Sequence, residues 1–139
     1  MKSYELSFYE PNDNVEMNVP KKLYHATYKA HQPSIEHFGL TRGNKSNWDD
    51  GTYYDDVYAS AIYLIDDMDE AIDFAESADF VDKDVYDSGV IAFEVDTTKL
   101  DKTKFKQDPY IDDDATNSYA YYGDIPANCL KLVYDDTKD

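Results

Sequence analysis

The shortness of its apolar segments constrains the fold of this chain more than any other feature. Five segments of four to seven residues are mostly apolar or alternating and are bounded by polar or turn-forming residues, namely 22–27, 61–64, 89–95, 119–122 and 130–134. Segments of this length and composition predict β-strands. None approaches the roughly 20 apolar residues that a membrane-spanning helix needs. We therefore expect short strands and no membrane segment.

A short helix is predicted after the first strand. Pro33 suits the first turn of a helix, Ile35 and Phe38 lie on one side of it, and Gly39 is placed to cap its end. The polar and glycine-containing residues 41–57 then predict a long loop, and loops of this length are often functional. Together with the strands, this helix indicates an α+β fold.

A second, amphipathic helix is predicted after the second strand. Apolar residues recur at helical spacing on one face, namely Met68, Ala71, Ile72, Ala75 and Ala78. Either Asp66 or Asp67 precedes the helix as a cap, and an acidic residue there also complements the helix dipole.

The net charge restricts the class of partner. The formal charge is −17, from 30 acidic and 13 basic side chains. Such a charge repels nucleic-acid phosphates and anionic membranes, so direct binding to either is not expected. A basic protein, or the basic groove of a nucleic-acid-binding protein, fits this charge better as a macromolecular target.

The domain organisation and the compartment follow from length, cysteine content and the first residues. A chain of 139 residues favours one domain over 21–139, preceded by an N-terminal arm or edge strand over 1–20. A single cysteine, Cys129, allows no internal disulfide and no cysteine-based zinc site. The first residues lead into no apolar run, so no signal peptide is expected. We therefore expect a cytoplasmic protein.

Three short motifs occur in order along the chain. The first is Leu23-Tyr24-His25-Ala26-Thr27, followed by Ile35 and Gly39-Leu40. The second is Ala61-Ile62-Tyr63-Leu64, followed by Ala71 and Phe74-Ala75. The third is Ser118-Tyr119-Ala120-Tyr121-Tyr122-Gly123-Asp124. The pattern resembles the His-Tyr branch of the ADP-ribosyltransferase superfamily, which includes the poly-ADP-ribose-polymerase-like and diphtheria-toxin-like transferases and small phage-encoded relatives.

The resemblance implies a fold and a cofactor. The fold would be split antiparallel β-sheets with a few short helices around a cleft for NAD, which is the substrate. By matching positions, His25 would contact the adenosine ribose and Tyr63 would stack on nicotinamide, with Tyr24 and Thr27 also on the cofactor side. Arg42, the only arginine, is the candidate for the pyrophosphate because its planar fork suits phosphate.

The third motif departs from the family pattern. Ser118 stands where the family usually has the Glu that orients the nicotinamide ribose. A hydroxyl can hold a ribose by hydrogen bonds but is no carboxylate base. A nearby acid could substitute, either from Asp112, Asp113 or Asp114 in the preceding loop or from Asp124, and Asp114 is taken as the candidate beside Ser118 and Tyr63.

Two main functions are consistent with these residues. The first is an NAD-dependent mono-ADP-ribosyltransferase, of a small phage-derived kind, that modifies a protein or nucleic acid selected by loops 41–57 and 107–117. The alternative is an inactive protein of the same fold that imitates nucleic acid and blocks a basic groove, as an anti-defence or regulatory inhibitor does. RNA 2′-phosphotransferase chemistry is a third possibility, disfavoured by the scarcity of Lys and Arg.

Other chemistries lack their sequence signals. His31 and His37 flank the short helix, but no third ligand for a metal site is indicated. The acidic pairs lack the regular spacing of a calcium-binding loop. Neither a phosphate-binding loop nor a dinucleotide-binding glycine fingerprint occurs. We therefore expect neither a metal enzyme nor a kinase or Rossmann-type enzyme.

Overall fold

A computed structural model describes residues 15–41, 61–77, 82–107 and 118–137. These residues form one antiparallel sheet of six strands, in the spatial order β4-β5-β2-β1-β3-β6. The strands are β1 (Lys22–Tyr28), β2 (Ile62–Ile65), β3 (Val90–Asp96), β4 (Phe105–Gln107), β5 (Ser118–Tyr121) and β6 (Leu130–Asp135). The α+β class expected from the sequence is confirmed.

The sheet consists of two well-paired halves that meet at one residue pair. Strands β1 and β3 pair along seven residues, and β2 and β5 pair along four. Between β1 and β2 the register contains only Tyr24 opposite Ile65. The ladder therefore stops in the middle of the sheet, between β4-β5-β2 on one side and β1-β3-β6 on the other.

Three α-helices lie among the described residues: α1 (Gln32–Phe38), α2 (Met68–Glu76) and α3 (Lys83–Asp87). Helix α1 ends at Gly39, whose φ of +81° is in the left-handed region that favours glycine. Helix α2 begins after Asp67, whose side chain accepts a hydrogen bond from the Glu70 N–H at 3.0 Å. Helices α1 and α2 confirm the sequence prediction, whereas α3 was not predicted.

The two faces of the sheet are covered by different side chains. The large-core face carries Leu23, Leu64, Phe93 and Tyr121, which pack with Ile35, Leu40 and Ile125. The small-core face carries Ala26, Tyr28, Val90 and Ala92, which pack against Ile72 and Ala75 of α2. Because side chains alternate along a strand, these clusters fix which face every other strand residue occupies.

Two aromatic residues on the helices are exposed, and one of them differs from its sequence interpretation. Phe38 was expected on the same side of α1 as Ile35, but it is 65% exposed, whereas Ile35 is buried. Phe74, the aromatic residue of the second motif, is 54% exposed on α2. On α1, therefore, Ile35 packs into the core but Phe38, three residues later, does not. Phe38 contacts the His37 ring edge-on, with ring centroids 4.3 Å apart.

The polar segment 97–106 and the N-terminal arm also contribute to the fold. Strand β4, which extends this segment to Gln107, was not predicted because Phe105 is its only apolar residue. Residues 15–20 have no regular structure but run along the domain, and the Met17 N–H donates to the Lys102 carbonyl at 3.1 Å. The rest of the predicted arm, 1–14, lies outside the described residues. In the described ranges, no helix is long and apolar enough to span a membrane.

Candidate functional site

His25 joins the two halves of the sheet through its side chain. Its Nδ1 lies 3.0 Å from the carbonyl oxygen of Tyr63. A carbonyl oxygen can only accept, so Nδ1 carries the proton and donates. In the neutral ring, Nε2 is then a hydrogen-bond acceptor. The side chain that the sequence indicated as a ribose contact thus also holds β1 against β2.

The imidazole bridges the strands where their backbones stop pairing. Extending the register of Tyr24 and Ile65 by two residues places Ala26 opposite Tyr63, but the ladder does not continue to that pair. The His25 ring therefore reaches a carbonyl just beyond the end of the backbone ladder. Since an unpaired buried carbonyl is costly, this hydrogen bond stabilises the junction.

The environment of His25 favours the neutral ring. Burial lowers the pKa of His25 because it penalises the charged imidazolium, and the nearby charge of His31 lowers it further. The hydrogen bond to the Tyr63 carbonyl acts in the opposite direction but does not outweigh burial. His25 is thus held as a neutral group with one donor already committed.

Tyr63 and Ser118 lie on neighbouring strands and on the same face. Tyr63 pairs with Ala120, and Ile65 pairs with Ser118. Ile62 and Leu64 belong to the large core, so the side chain of Tyr63 between them lies on the small-core face. Tyr119 also belongs to the large core, so the side chain of its neighbour Ser118 lies on the small-core face as well. The second and third sequence motifs are therefore brought together by the pairing of β2 with β5.

Tyr24 belongs to the same face as Tyr63 and Ser118, whereas His25 and Thr27 do not. Tyr24 alternates with Leu23 of the large core, which places its phenol on the small-core face. His25 and Thr27 lie on the large-core face, and Thr27 is buried there. The predicted site residues on β1 thus divide between the two faces, and the end of the β1–β2 ladder lies between them.

Two further acidic residues lie beside Tyr24. Glu94 is opposite Tyr24 on β3, and the Tyr24 hydroxyl donates to Glu94 Oε2 at 3.4 Å. Lys22 Nζ lies 3.9 Å from the other Glu94 oxygen. The pKa of Tyr24 is raised, first by burial, then by the charge of Glu94 and its hydrogen bond, and also by the charge of Asp67.

Sequence interpretation did not include these carboxylates in the site. One local signal was available, since Glu94 is the only charged residue in the apolar segment 89–95. Asp67 was considered only as a helix cap. Their position beside Tyr24 follows from strand pairing, which local patterns do not reveal.

Three further predictions concern Arg42, Asp114 and Cys129. Arg42 and Asp114 lie outside the described residues. Cys129 lies in the large core as predicted, and burial raises the pKa of its thiol. Within the described ranges, no group of three or more His, Cys, Asp and Glu side chains is placed to hold a metal ion.

No protein-family model matches this chain, and no curated protein sequence matches it. The functional argument therefore depends on the geometry. That geometry provides an imidazole acceptor, two phenol rings and a hydroxyl around the junction of β1, β2 and β5. Such groups can hold sugar hydroxyls and stack on a flat ring.

Proposed function

We propose that this protein is an NAD-dependent mono-ADP-ribosyltransferase. The observation that carries the proposal is the position of its three sequence motifs. His25, Tyr63 and Ser118 are far apart in the chain, yet they lie on the adjacent strands β1, β2 and β5, and His25 is hydrogen-bonded to Tyr63 itself. Unrelated core residues have no reason to follow both the order of the family motifs and this spatial order.

The junction between the half-sheets supports the finer fold assignment. An ADP-ribosyltransferase-like fold is expected to have a split sheet with the cofactor cleft at the split. Here the β1–β2 ladder ends after the pair Tyr24–Ile65, and the motif residues surround that end. His25 and Tyr63 leave the sheet on opposite faces, so a dinucleotide would have to pass around the end of the β1–β2 ladder to contact both side chains.

The residues have distinct roles in the proposed reaction. Nε2 of His25 accepts a hydrogen bond from a hydroxyl of the adenosine ribose, because Nδ1 already donates to Tyr63. The Tyr63 ring stacks on nicotinamide, and the Ser118 hydroxyl holds the second ribose. Fixing both ends of the cofactor in this way keeps the nicotinamide–ribose bond in a reactive orientation.

Other groups complete the proposed complex. Tyr24 lies on the same face as Tyr63, whereas Thr27 is buried on the other face beside His25 and so supports the site only from within the core. Arg42 is the candidate for the pyrophosphate, and Asp114 is the candidate acid. A net charge of −17 favours a basic protein, including a nucleic-acid-binding protein, as the modified target. The reaction belongs to a cytoplasmic setting, where NAD is available.

Release of nicotinamide from NAD tests the proposal. The purified chain is incubated with millimolar NAD, nicotinamide is quantified by chromatography, and auto-modification is followed with labelled NAD. Replacing Tyr63 by Ala should lower the rate at least about tenfold, since a stacking contact is lost. The matched control is Tyr86→Ala, which removes a partly exposed tyrosine on α3. Absence of both NAD binding and nicotinamide release would exclude this function.

A second candidate function is an inactive protein of the same fold that blocks a basic groove. Its specific support is Ser118, which stands where a catalytic Glu is expected, together with the acidic outer surface of α2. Asp69, Asp73 and Glu76 are exposed there, and no cation in the described part of the chain lies within ion-pair distance of them.

This candidate is tested by binding to a purified nuclease or repressor with a basic groove. The affinity should fall steeply as the NaCl concentration is raised, because carboxylates of this protein would bind the positive side chains with which the partner holds phosphates. Asp69→Asn with Asp73→Asn should weaken binding without changing the fold. Binding that is independent of salt, or absent, contradicts it.

A further inference from the structure

The third motif has Ser118 where the family has a Glu, and a candidate replacement for that carboxylate lies just beyond the end of the neighbouring strand β2. Ser118 pairs with Ile65, and Asp67 follows Ile65 by two residues at the start of α2. Strand β2 ends at Ile65 and the chain bends at Asp66, so Asp67 lies just beyond the strand end that pairs with Ser118. Asp67 is exposed, so its carboxylate is open to a ligand at this end of β2.

Asp67 also follows the strand end that is next to Tyr24. Ile65 is opposite Tyr24 on β1 as well as Ser118 on β5, and Asp67 comes two residues later with an extended backbone, φ of −130° and ψ of 121°. The charge of Asp67 contributes to the raised pKa of Tyr24. Asp67 thus lies just beyond the end of β2, which has Tyr24 on one side and Ser118 on the other.

Of the two carboxylates whose charge acts on Tyr24, Glu94 has a cationic partner, whereas Asp67 has none among the described residues. Glu94 has the Lys22 ammonium at 3.9 Å and the Tyr24 hydroxyl at 3.4 Å. The carboxylate of Asp67 accepts the Glu70 N–H, and in the described residues no Lys, Arg or His lies within ion-pair distance of it. The exposed carboxylate of Asp67 is therefore available to interact with positive charge that develops on a ligand.

We infer that Asp67 supplies the carboxylate that Ser118 cannot, and that it stabilises the positive charge that develops on the nicotinamide-side ribose. This inference rests on the proposed function. In the step concerned, the bond between C1′ and the nicotinamide nitrogen breaks, and both electrons pass to that nitrogen. Nicotinamide leaves neutral, and the positive charge moves to the ribose. An acceptor oxygen then bonds to C1′ and releases its proton to water.

The helix cap makes Asp67 unusually suitable for a test of charge alone. Asn and Ser cap helices about as well as Asp, so Asp67→Asn and Asp67→Ser keep the hydrogen bond to Glu70 while removing the charge. The matched control is Asp82→Asn, which makes the same change at the cap of α3, where Asp82 accepts the Asp84 N–H at 2.9 Å. Both changes alter the net charge equally.

The experiment measures the rate of nicotinamide release and the Kd for NAD in each variant. Asp67→Asn and Asp67→Ser should lower kcat at least about tenfold and leave the Kd within about twofold, because the charge acts on the transition state. Asp82→Asn should change neither. Adding Ser118→Glu to Asp67→Asn should restore most of the lost rate, since it returns a carboxylate to the family position.

The outcomes separate the inference from the proposed function. Wild-type protein that releases nicotinamide, together with Asp67 variants of unchanged kcat, overturns the role of Asp67 and leaves the function standing. A loss in Asp67→Asn that Ser118→Glu does not restore also overturns it. Wild-type protein that neither binds nor consumes NAD overturns both.

Discussion

The two ring nitrogens of His25 have different roles in the proposed function. Nδ1 donates to the Tyr63 carbonyl and so ties β1 to β2, and in the neutral ring Nε2 is an acceptor, which the proposal assigns to the ribose. Protonation would convert Nε2 from an acceptor into a donor and place a charge in a half-buried position. The same desolvation that lowers the pKa of His25 therefore keeps the ring in the form that the proposed ribose contact requires.

The lowered pKa of His25 predicts a stability that depends on pH. The unfolded chain takes up the proton near pH 6.5, whereas the folded chain does so only at lower pH. The stabilisation is thus complete above about pH 6.5 and is lost as the pH falls toward the folded pKa. Urea unfolding between pH 5 and 8 should show a smaller pH dependence in His25→Gln than in the wild type. His37→Gln, at an exposed position, is the control, and equal slopes in all three proteins contradict the prediction.

At the scale of elements, the end of α1 depends on a glycine. Gly39 has φ of +81°, and a Cβ there would lie 2.2 Å from the Ile125 carbonyl oxygen and 2.9 Å from the Ala127 nitrogen. Both are backbone atoms of the segment that pairs with Leu40, so they cannot move aside cheaply.

Replacing Gly39 by Ala should therefore lower the free energy of unfolding by about 1–3 kcal/mol. The matched control is Gly123→Ala, because a Cβ at Gly123 would meet only side-chain atoms of Tyr121 and Lys104, at 3.0 Å and beyond. Chemical denaturation of both variants checks the difference. A Gly39→Ala protein as stable as Gly123→Ala would show that the backbone adapts.

A partly buried ion pair links β6 to the residue that follows β1. The Asp135 carboxylate is 3% exposed and pairs with Lys29, whose side chain is 37% exposed, and Thr137 donates to the same carboxylate from its hydroxyl and its N–H. The hydrogen bond from Lys29, followed by that from the Thr137 hydroxyl, lowers the pKa of Asp135 to about 2. The pair holds the edge strand β6, which lies at the opposite edge of the sheet from β4.

Asp135→Asn should lower the urea midpoint of unfolding near neutral pH. The contribution of Asp135 is present above its unfolded pKa of about 3.9 and is lost as the pH falls toward about 2. The midpoints of wild type and variant should therefore converge below pH 4. The control is Asp87→Asn, which breaks the exposed pair with Lys83 and should change the midpoint little. A midpoint of Asp135→Asn equal to that of the wild type would contradict this account.

Local patterns predicted most elements of the fold but not how they meet. Strands with several alternating apolar residues, such as β1 and β3, were found within one or two residues of their bounds, because burial on a face imposes the alternation. Strand β4 has one apolar residue and owes its pairing to β5. The candidate motif residues were likewise identified from local sequence, and their role stays a prediction. The positions of Glu94 opposite Tyr24 and of Asp67 after Ile65 follow only from the pairing of β1 with β3 and β2.

At the scale of the whole molecule, acidic charge dominates the long-range electrostatics. The sequence has 30 acidic and 13 basic side chains, and ion pairs such as Lys29–Asp135 and Lys22–Glu94 compensate only a few of the acids. Exposed carboxylates on α2, such as Asp69, Asp73 and Glu76, have no such cation among the described residues. Self-repulsion of this kind destabilises the compact state, and an anionic cofactor of the proposed kind would have to enter against the same field.

Salt should therefore stabilise this protein. Because the Debye length shortens from about 30 Å at 0.01 M to about 8 Å at 0.15 M, raising NaCl over this range screens most of the repulsion. We expect Tm to rise by about 3–5 °C, which corresponds to roughly 1 kcal/mol for a domain of this size. The triple variant Asp69→Asn, Asp73→Asn, Glu76→Gln removes three of the 17 net negative charges and should show a smaller rise. KCl should act like NaCl if screening is the cause, whereas a Tm that is flat or falls with salt would show that the repulsion is compensated within the fold.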